Sequence, residues 1–189
     1  LAEVGAAAHH ELATRAYARS TTLARDVSGL IPIQLDPAAR LVVLSLMRDG
    51  ATSAEDRDYA AAPLLAEIAR RHAGVTAVTL APDASLAERT TALAAVHDAD
   101  LTLLVTLNAH RDPGQLILAR AAIAASGGRI IGLAAANPYD ASALPELGTL
   151  LLTYEYSAPA LAAAVRVLFG EAEAQGKAPV ALAAPASGE

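Results

Sequence analysis

The chain has 189 residues with 14 basic and 20 acidic side chains, a net charge of -6, no cysteine, and aromatics at only 3%. A chain of this length buries about 70% of its unfolded surface, and with no Trp and a single Phe, Phe169, it has to fill its core with Ala, Leu, Ile and Val. The acidic balance gives no electrostatic footing for nucleic acid or an anionic membrane, and the lack of cysteine excludes disulfides, thiolate zinc sites, iron-sulfur clusters and a cysteine nucleophile.

The start, Leu1-Ala2-Glu3-Val4, has neither an initiator Met nor the basic flank and apolar centre of a signal peptide, and reads as cut from something longer. No apolar run reaches the roughly 18 residues of a membrane span, so a soluble protein is expected, cytoplasmic rather than exported. From Ala2 to about Asp26, Leu12, Ala16, Leu23 and Val27 recur at helical spacing with Glu11, Arg15, Arg19 and Arg25 between them, which predicts one long helix. Ser28-Gly29-Leu30-Ile31-Pro32 stops it, and an extended connection follows. Beyond Asp36-Pro37, short aliphatic runs alternate with Ala-rich amphipathic segments. The runs Leu41 to Leu46, Val75 to Leu80, Leu101 to Leu107, Arg129 to Ala134 and Thr149 to Thr153 are apolar on consecutive residues, the pattern of strands buried on both faces. Helices are expected near Arg57 to His72, Ser85 to His97, Pro113 to Ser126 and Ser157 to Leu168. The fold class is α/β: an open, doubly wound, mostly parallel five-stranded sheet, a flavodoxin-like layer with helices on both faces and right-handed crossovers. Residues 1–36 form the linker helix and extended connection, 37–180 the α/β sandwich and 181–189 a frayed tail.

In such a sheet, ligands bind beyond the carboxyl ends of the strands. The first of these loops, Met47 to Ser53, lacks both the Gly-x-Gly-x-x-Gly fingerprint and the Gly-Lys-Ser/Thr of a phosphate loop, and no cofactor is expected. A receiver domain would need an aspartate and a lysine where this chain has Asn108 and Tyr154. The third loop, Asn108-Ala109-His110-Arg111-Asp112-Pro113-Gly114-Gln115, is the densest in functional groups. It supports two readings. In one, His110 and Asp112 pair for proton transfer and Arg111 holds an anion or a sugar hydroxyl; in the other, Asp112 caps the helix opening at Pro113 and His110 and Arg111 are solvated. His72 and His97 sit near helix ends, where the dipole favours a cation. No metal-ligand spacing and no Gly-x-Ser-x-Gly elbow occurs. After the fourth and fifth runs come Asn137-Pro138-Tyr139-Asp140 and Tyr154-Glu155-Tyr156. Asp140 is placed to cap a short turn, and Tyr154 and Tyr156 point to the same side if still extended. Tyr139, Tyr154 and Tyr156 are therefore either a contact surface for a partner domain or sugar, or the seal of the sheet end.

These strings, with Leu144-Pro145-Glu146 before the fifth run, Ser157-Ala158-Pro159 and the helix ending Val167-Leu168-Phe169-Gly170-Glu171 after it, and then Gly176-Lys177-Ala178-Pro179-Val180, resemble the carboxyl-terminal α/β domain of glycoside hydrolase family 3. The branch resembled is that of the two-domain bacterial β-N-acetylhexosaminidases, and the opening helix with Ala18-Arg19-Ser20 and Leu30-Ile31-Pro32-Ile33 is similar to the linker that leaves their barrel. The resemblance implies a retaining glycosidase whose nucleophile aspartate and His/Asp acid/base belong to an amino-terminal (β/α)8 barrel. It implies that barrel and an amino-sugar glycoside as partners. The glucosidase branch takes an acid/base glutamate from the loop matched here by Asn108 to Gln115, which holds no Glu, and its Pro-Gly-x-x-Gly-Gly string is replaced here by Tyr156-Ser157-Ala158-Pro159. Both departures favour the N-acetylhexosaminidase branch and an accessory role without an essential catalytic group. Residues expected to face the barrel or shape its substrate site are Asn108, His110, Arg111, Asp112, Tyr139, Asp140, Tyr154 and Tyr156. The rival reading is a stand-alone small-ligand or protein-binding module.

Overall fold

The structure, a computed structural model, describes residues 6–46 and 62–182. Six strands make one sheet: β1 Thr22–Asp26, β2 Leu41–Leu46, β3 Val75–Leu80, β4 Leu101–Thr106, β5 Ile130–Ala134 and β6 Thr149–Leu152, in the order β1-β6-β5-β4-β2-β3. The five from β2 onward are parallel, and β1 runs antiparallel to β6 at the edge. The parallel strands taken in chain order stand 2-1-3-4-5, the flavodoxin-like order. The helices are α1 Ala7–Ser20, α2 Ala62–Ala69, α3 Leu86–Asp98, α4 Pro113–Ala125, α5 Asp140–Ala143 and α6 Ala158–Leu168.

Period-two alternation sends the two halves of each buried strand into two cores. Leu41, Val43, Leu101, Leu103, Val105, Ile131 and Leu133 meet Leu64 and Ile68 of α2 and Leu161, Val165 and Leu168 of α6. Leu44, Leu46, Leu104, Leu150 and Leu152 meet Ala92 and Val96 of α3 and Leu118, Ala119 and Ala122 of α4. Each fully buried Leu or Ile contributes about 1.5–3 kcal/mol. Helix starts follow their cap chemistry. Ser85 accepts from the Glu88 amide at 3.3 Å while the Glu88 carboxylate accepts from the Ser85 amide at 2.8 Å, a reciprocal capping box. Asp112 accepts from the amides of Gly114 at 2.9 Å and Gln115 at 3.2 Å, with Pro113 in the first turn. A Cβ on Gly114 would lie 2.9 Å from both Cβ and O of Pro82, so the start of α4 can press on the loop after β3 only as glycine.

The layer and its helices match expectation, with local corrections. The opening helix ends at Ser20 instead of running to Asp26, and Thr22–Asp26 is a sixth strand. Thr21 turns its hydroxyl back to Tyr17 O at 2.9 Å and Thr22 to Ser20 O at 2.9 Å, and β-branched pairs of this kind favour leaving the helix. The strand is then fixed from outside, by β6, with a bulge between Leu23 and Arg25. Ser28 to Pro32 accordingly turns the chain after a strand: Asp26 accepts from the amides of Leu30 at 2.9 Å and Ile31 at 3.4 Å and from the Thr149 hydroxyl at 2.6 Å. Val75 to Leu80 was expected to be covered on both faces, yet Thr76, Ala77 and Thr79 are exposed because β3 is the far edge of the sheet. His72 is buried just past the end of α2, and its Nε2 lies 2.8 Å from Ala39 O, so it pins the β2 approach to that helix end. Met47 to Ser53, the first residues of the helix expected from Arg57, and the last seven of the tail lie outside the described residues.

Candidate functional site

The carboxyl ends of β4 and β5, neighbours in the sheet, carry the polar cluster. Gln115, buried on the first turn of α4, brackets Leu107 as β4 ends: Oε1 accepts from Leu107 N at 3.2 Å and Nε2 donates to Leu107 O at 2.9 Å. Asn108 then takes the left-handed conformation at φ 56°, which asparagine tolerates better than most residues. Its Oδ1 accepts from the backbone amide and the side-chain amide of Asn137, tying the β4 loop to the β5 loop. A single 3-10 turn, Ala109–Arg111, brings His110 round.

Asp140, the first residue of α5, is 1% exposed and meets three donors. Its Oδ2 accepts from the Thr106 hydroxyl at 2.8 Å, and its Oδ1 accepts from the His110 backbone amide at 2.9 Å and faces His110 Nδ1 at 2.8 Å. An ionised carboxylate can only accept, so Nδ1 carries the hydrogen of this contact and Nε2 is the ring nitrogen left over. No hydrogen bond to Nε2 occurs among the described residues, and the His110 side chain is 19% exposed. The Tyr139 ring stands 5.4 Å from the imidazole, tilted 58°, and Tyr139 is 48% exposed. Behind α5, the buried Arg25 of β1 donates to Ala141 O and, at 3.3 Å, to Pro145 O. Burial pulls its guanidinium below the ordinary value, with Glu146 pulling it back up.

The structure thus brings Asn108, His110, Tyr139 and Asp140 together and separates the others. Asp112 caps α4, so the carboxylate that meets His110 comes from the next βα loop and not from two residues along. Arg111 is exposed, with no side-chain hydrogen bond or ion pair among the described residues. Tyr154 and Tyr156 do not share a side: Tyr154 packs on the core under α3 and α4, and Tyr156 on the core under α2 and α6. β6 has ended at Leu152, and a left-handed Tyr154, φ 62°, reverses the alternation. Its hydroxyl donates to Thr22 Oγ1 at 2.9 Å, which seals the edge made by β1. Sequence reasoning missed Thr106, Gln115 and Arg25. Thr106 reads as the end of an apolar run, but a polar residue there, facing the next strand's loop, is the signal that was available. No cluster of three metal-ligating side chains forms among the described residues, and no helix among them is long and apolar enough to cross a membrane.

No family model matches the sequence, and no curated relative is recognisably similar to it. The likeness is structural. A fungal multi-domain family 3 β-N-acetylglucosaminidase, described as having a glucosamine N-acetyltransferase region, superposes with a TM-score of 0.80 and 26% identity over 98% of this chain and 20% of its own. A family 3 β-N-acetylglucosaminidase from a Paenibacillus species gives 0.77 and 24% over 94% of this chain and 34% of its own. A Listeria innocua β-glucosidase in complex with isofagomine gives 0.69 and 15% over 89% and 26%. This chain has the fold of the carboxyl-terminal α/β domain of glycoside hydrolase family 3, as the sequence resemblance implies. It spans about a fifth to a third of the length of the two β-N-acetylglucosaminidases.

Proposed function

We propose that the chain is the accessory α/β domain of a retaining glycoside hydrolase of the β-N-acetylglucosaminidase type, packed on a catalytic (β/α)8 barrel of the same protein. The observation that carries this reading is the superposition across 98% of the chain on one-fifth of a β-N-acetylglucosaminidase. Two features of the chain support it. Helix α1 buries none of its residues and leaves Leu12 exposed, as suits a connecting helix rather than a core element; a 14-residue helix with no buried side chain is marginal by itself in water. Among the described residues the cluster at the β4 and β5 ends pairs one imidazole with one buried carboxylate, whereas retaining hydrolysis needs a nucleophile and an acid/base on either side of the bond. Chemistry at the glycosidic bond is then the work of the barrel.

Two measurements test the reading. The chain alone should give no turnover of a chromogenic N-acetylglucosaminide; clear turnover defeats the accessory role. The coding DNA ahead of Leu1 should continue in frame for roughly 250 codons or more, the size of a barrel, and include an aspartate at the end of a barrel strand; stop codons directly ahead of Leu1 would reject it.

A further inference from the structure

Beyond α6, residues Glu171 to Leu182 form no helix or strand, yet their exposure alternates without a break. Ala172, Ala174, Gly176, Ala178, Val180 and Leu182 are half-buried, and the residues between them are exposed. A period of two is that of an extended chain with one side laid on the protein. Ala172 and Ala174 pack on the core under α2 and α6, while Ala178 and Leu182 pack on the core under α3 and α4. The segment is therefore a strap that passes from one face of the sheet to the other, round the edge made by β1. It crosses at Gly176, whose amide donates to Thr21 O at 2.9 Å, over the junction of α1 and β1. A Cβ on Gly176 would fall well inside contact distance of Ser20 O and Thr22 Oγ1, so only glycine lets the strap lie this low. Under it, the Thr22 hydroxyl already donates to Ser20 O and accepts from Tyr154. Helix α1 has little else to hold it: it lies against α6 with Ala13 and Tyr17 half-buried and no residue fully buried. The strap itself is thinly attached. Among the described residues, the Gly176 bond is the one backbone hydrogen bond between residues 173–182 and the rest of the chain. Three of the four side chains that seat it on the cores are alanine, which buries little apolar surface. A segment bonded in this way opens at a lower cost than the sheet it crosses.

We propose that residues 171–182 are a releasable clasp on the α1–β1 junction. Seated, the clasp ties that junction to both faces of the sheet and sets the direction in which α1 leaves the domain. Released, it frees α1 and the start of β1 while the parallel strands stay folded. Whatever displaces the strap then changes the position of whatever α1 leads to. That α1 leads to a catalytic barrel rests on the function proposed above; the clasp does not, and this chain alone decides it.

The test is amide hydrogen exchange, read by mass spectrometry, on the full 189-residue chain, on Gly176→Val, and on chains cut after Ala174 and after Leu182. Gly176→Val and the cut after Ala174 should each speed exchange of the amides of residues 20–26 about tenfold. Trypsin should cleave after Arg19 and Arg25 faster in the same proportion, with exchange over β4 and β5 unchanged. The cut after Leu182, and Gln175→Val on the exposed side of the strap, should behave as wild type. Where Gly176→Val fails to fold, the cut after Ala174 decides. Wild-type exchange over residues 20–26 in the chain cut after Ala174 overturns the clasp, since the strap then holds nothing. Loss of the whole fold in that chain, or an equal gain over β4 and β5, also overturns it, since the strap is then part of one cooperative core. An equal effect of the cut after Leu182 would move the contact out of the strap and overturn it too. Stop codons directly ahead of Leu1 would reject the accessory-domain reading and leave the exchange result standing, so the two failures are distinguishable.

Discussion

Two polar networks, one partly and one fully buried at its carboxylate, join elements far apart in sequence. At the β1 edge, Asp26 accepts from Leu30, Ile31 and Thr149, Arg25 donates to Ala141 and Pro145, and the Tyr154 hydroxyl ends on Thr22. Each of those side chains has its partner within the fold, and the network's effect is to close the sheet with an antiparallel strand. At the β4 and β5 ends, Asp140 is as fully provided with donors as Asp26, yet the chain of contacts ends on an imidazole nitrogen that no described residue meets. The first network is closed on itself, while the second leaves an oriented imidazole nitrogen beyond the carboxyl ends of two parallel strands.

The largest expected effect follows from removing the better buried carboxylate. Asp140→Ala leaves the Thr106 hydroxyl, the His110 amide and His110 Nδ1 facing an empty site and should cost about 3 kcal/mol in urea unfolding. A loss below 1 kcal/mol would mean that water replaces the carboxylate and that the burial argument is wrong. Asp26→Ala removes a similar number of bonds at a partly exposed position, where solvent reaches the orphaned amides, so about 1–2 kcal/mol is expected. Equal costs for the two would erase the contrast between them. Tyr154→Phe should cost about 1 kcal/mol in urea unfolding for one hydroxyl bond at the β1 edge; no measurable loss would show that the bond does not close that edge in solution.

The smallest effect concerns a third, more exposed network, which joins the end of α2 to Glu171, three residues beyond α6. Arg71 bonds Glu171 at 2.5 and 2.7 Å and Glu67 at 3.1 Å. The Arg71 bond holds the Glu171 carboxyl below its ordinary range. For Glu67, burial pushes upward, but hydrogen bonds from Arg70 and Arg71 together outweigh it and the net direction is down. Carboxyls with depressed folded-state values contribute stability that is present above about pH 4.3, the unfolded value, and is lost as pH falls through the folded ones. Glu171→Gln should therefore flatten the fall in stability below about pH 4.5 and change little at pH 7 apart from the screened surface pair. An unchanged acid limb would show that the pair is not formed in solution.

Hydrophobic rhythm alone placed five strands and three helices to within a few residues, and a fourth helix over its described part, because consecutive apolar residues in runs of five or six have few other uses and because Ser85, Pro113 and Pro159 mark helix starts chemically. The sixth strand was not legible: Thr-Leu-Ala-Arg-Asp also fits a helical period, and what makes it a strand is the free edge of β6, some 120 residues on. The site was legible only as an inventory. His110, Tyr139 and Asp140 are visible as functional groups after strands, and the short-range pairing of His110 with Asp112 was the natural inference from spacing. Tertiary structure decided otherwise, since sheet order sets β4 beside β5 and so brings residue 140 to residue 110, while Asp112 is taken by the amides of its own helix. Local chemistry, which acts over three or four residues, is written in the sequence. Which carboxylate an imidazole meets depends on strand adjacency, and that is fixed only when the whole sheet has closed its cores.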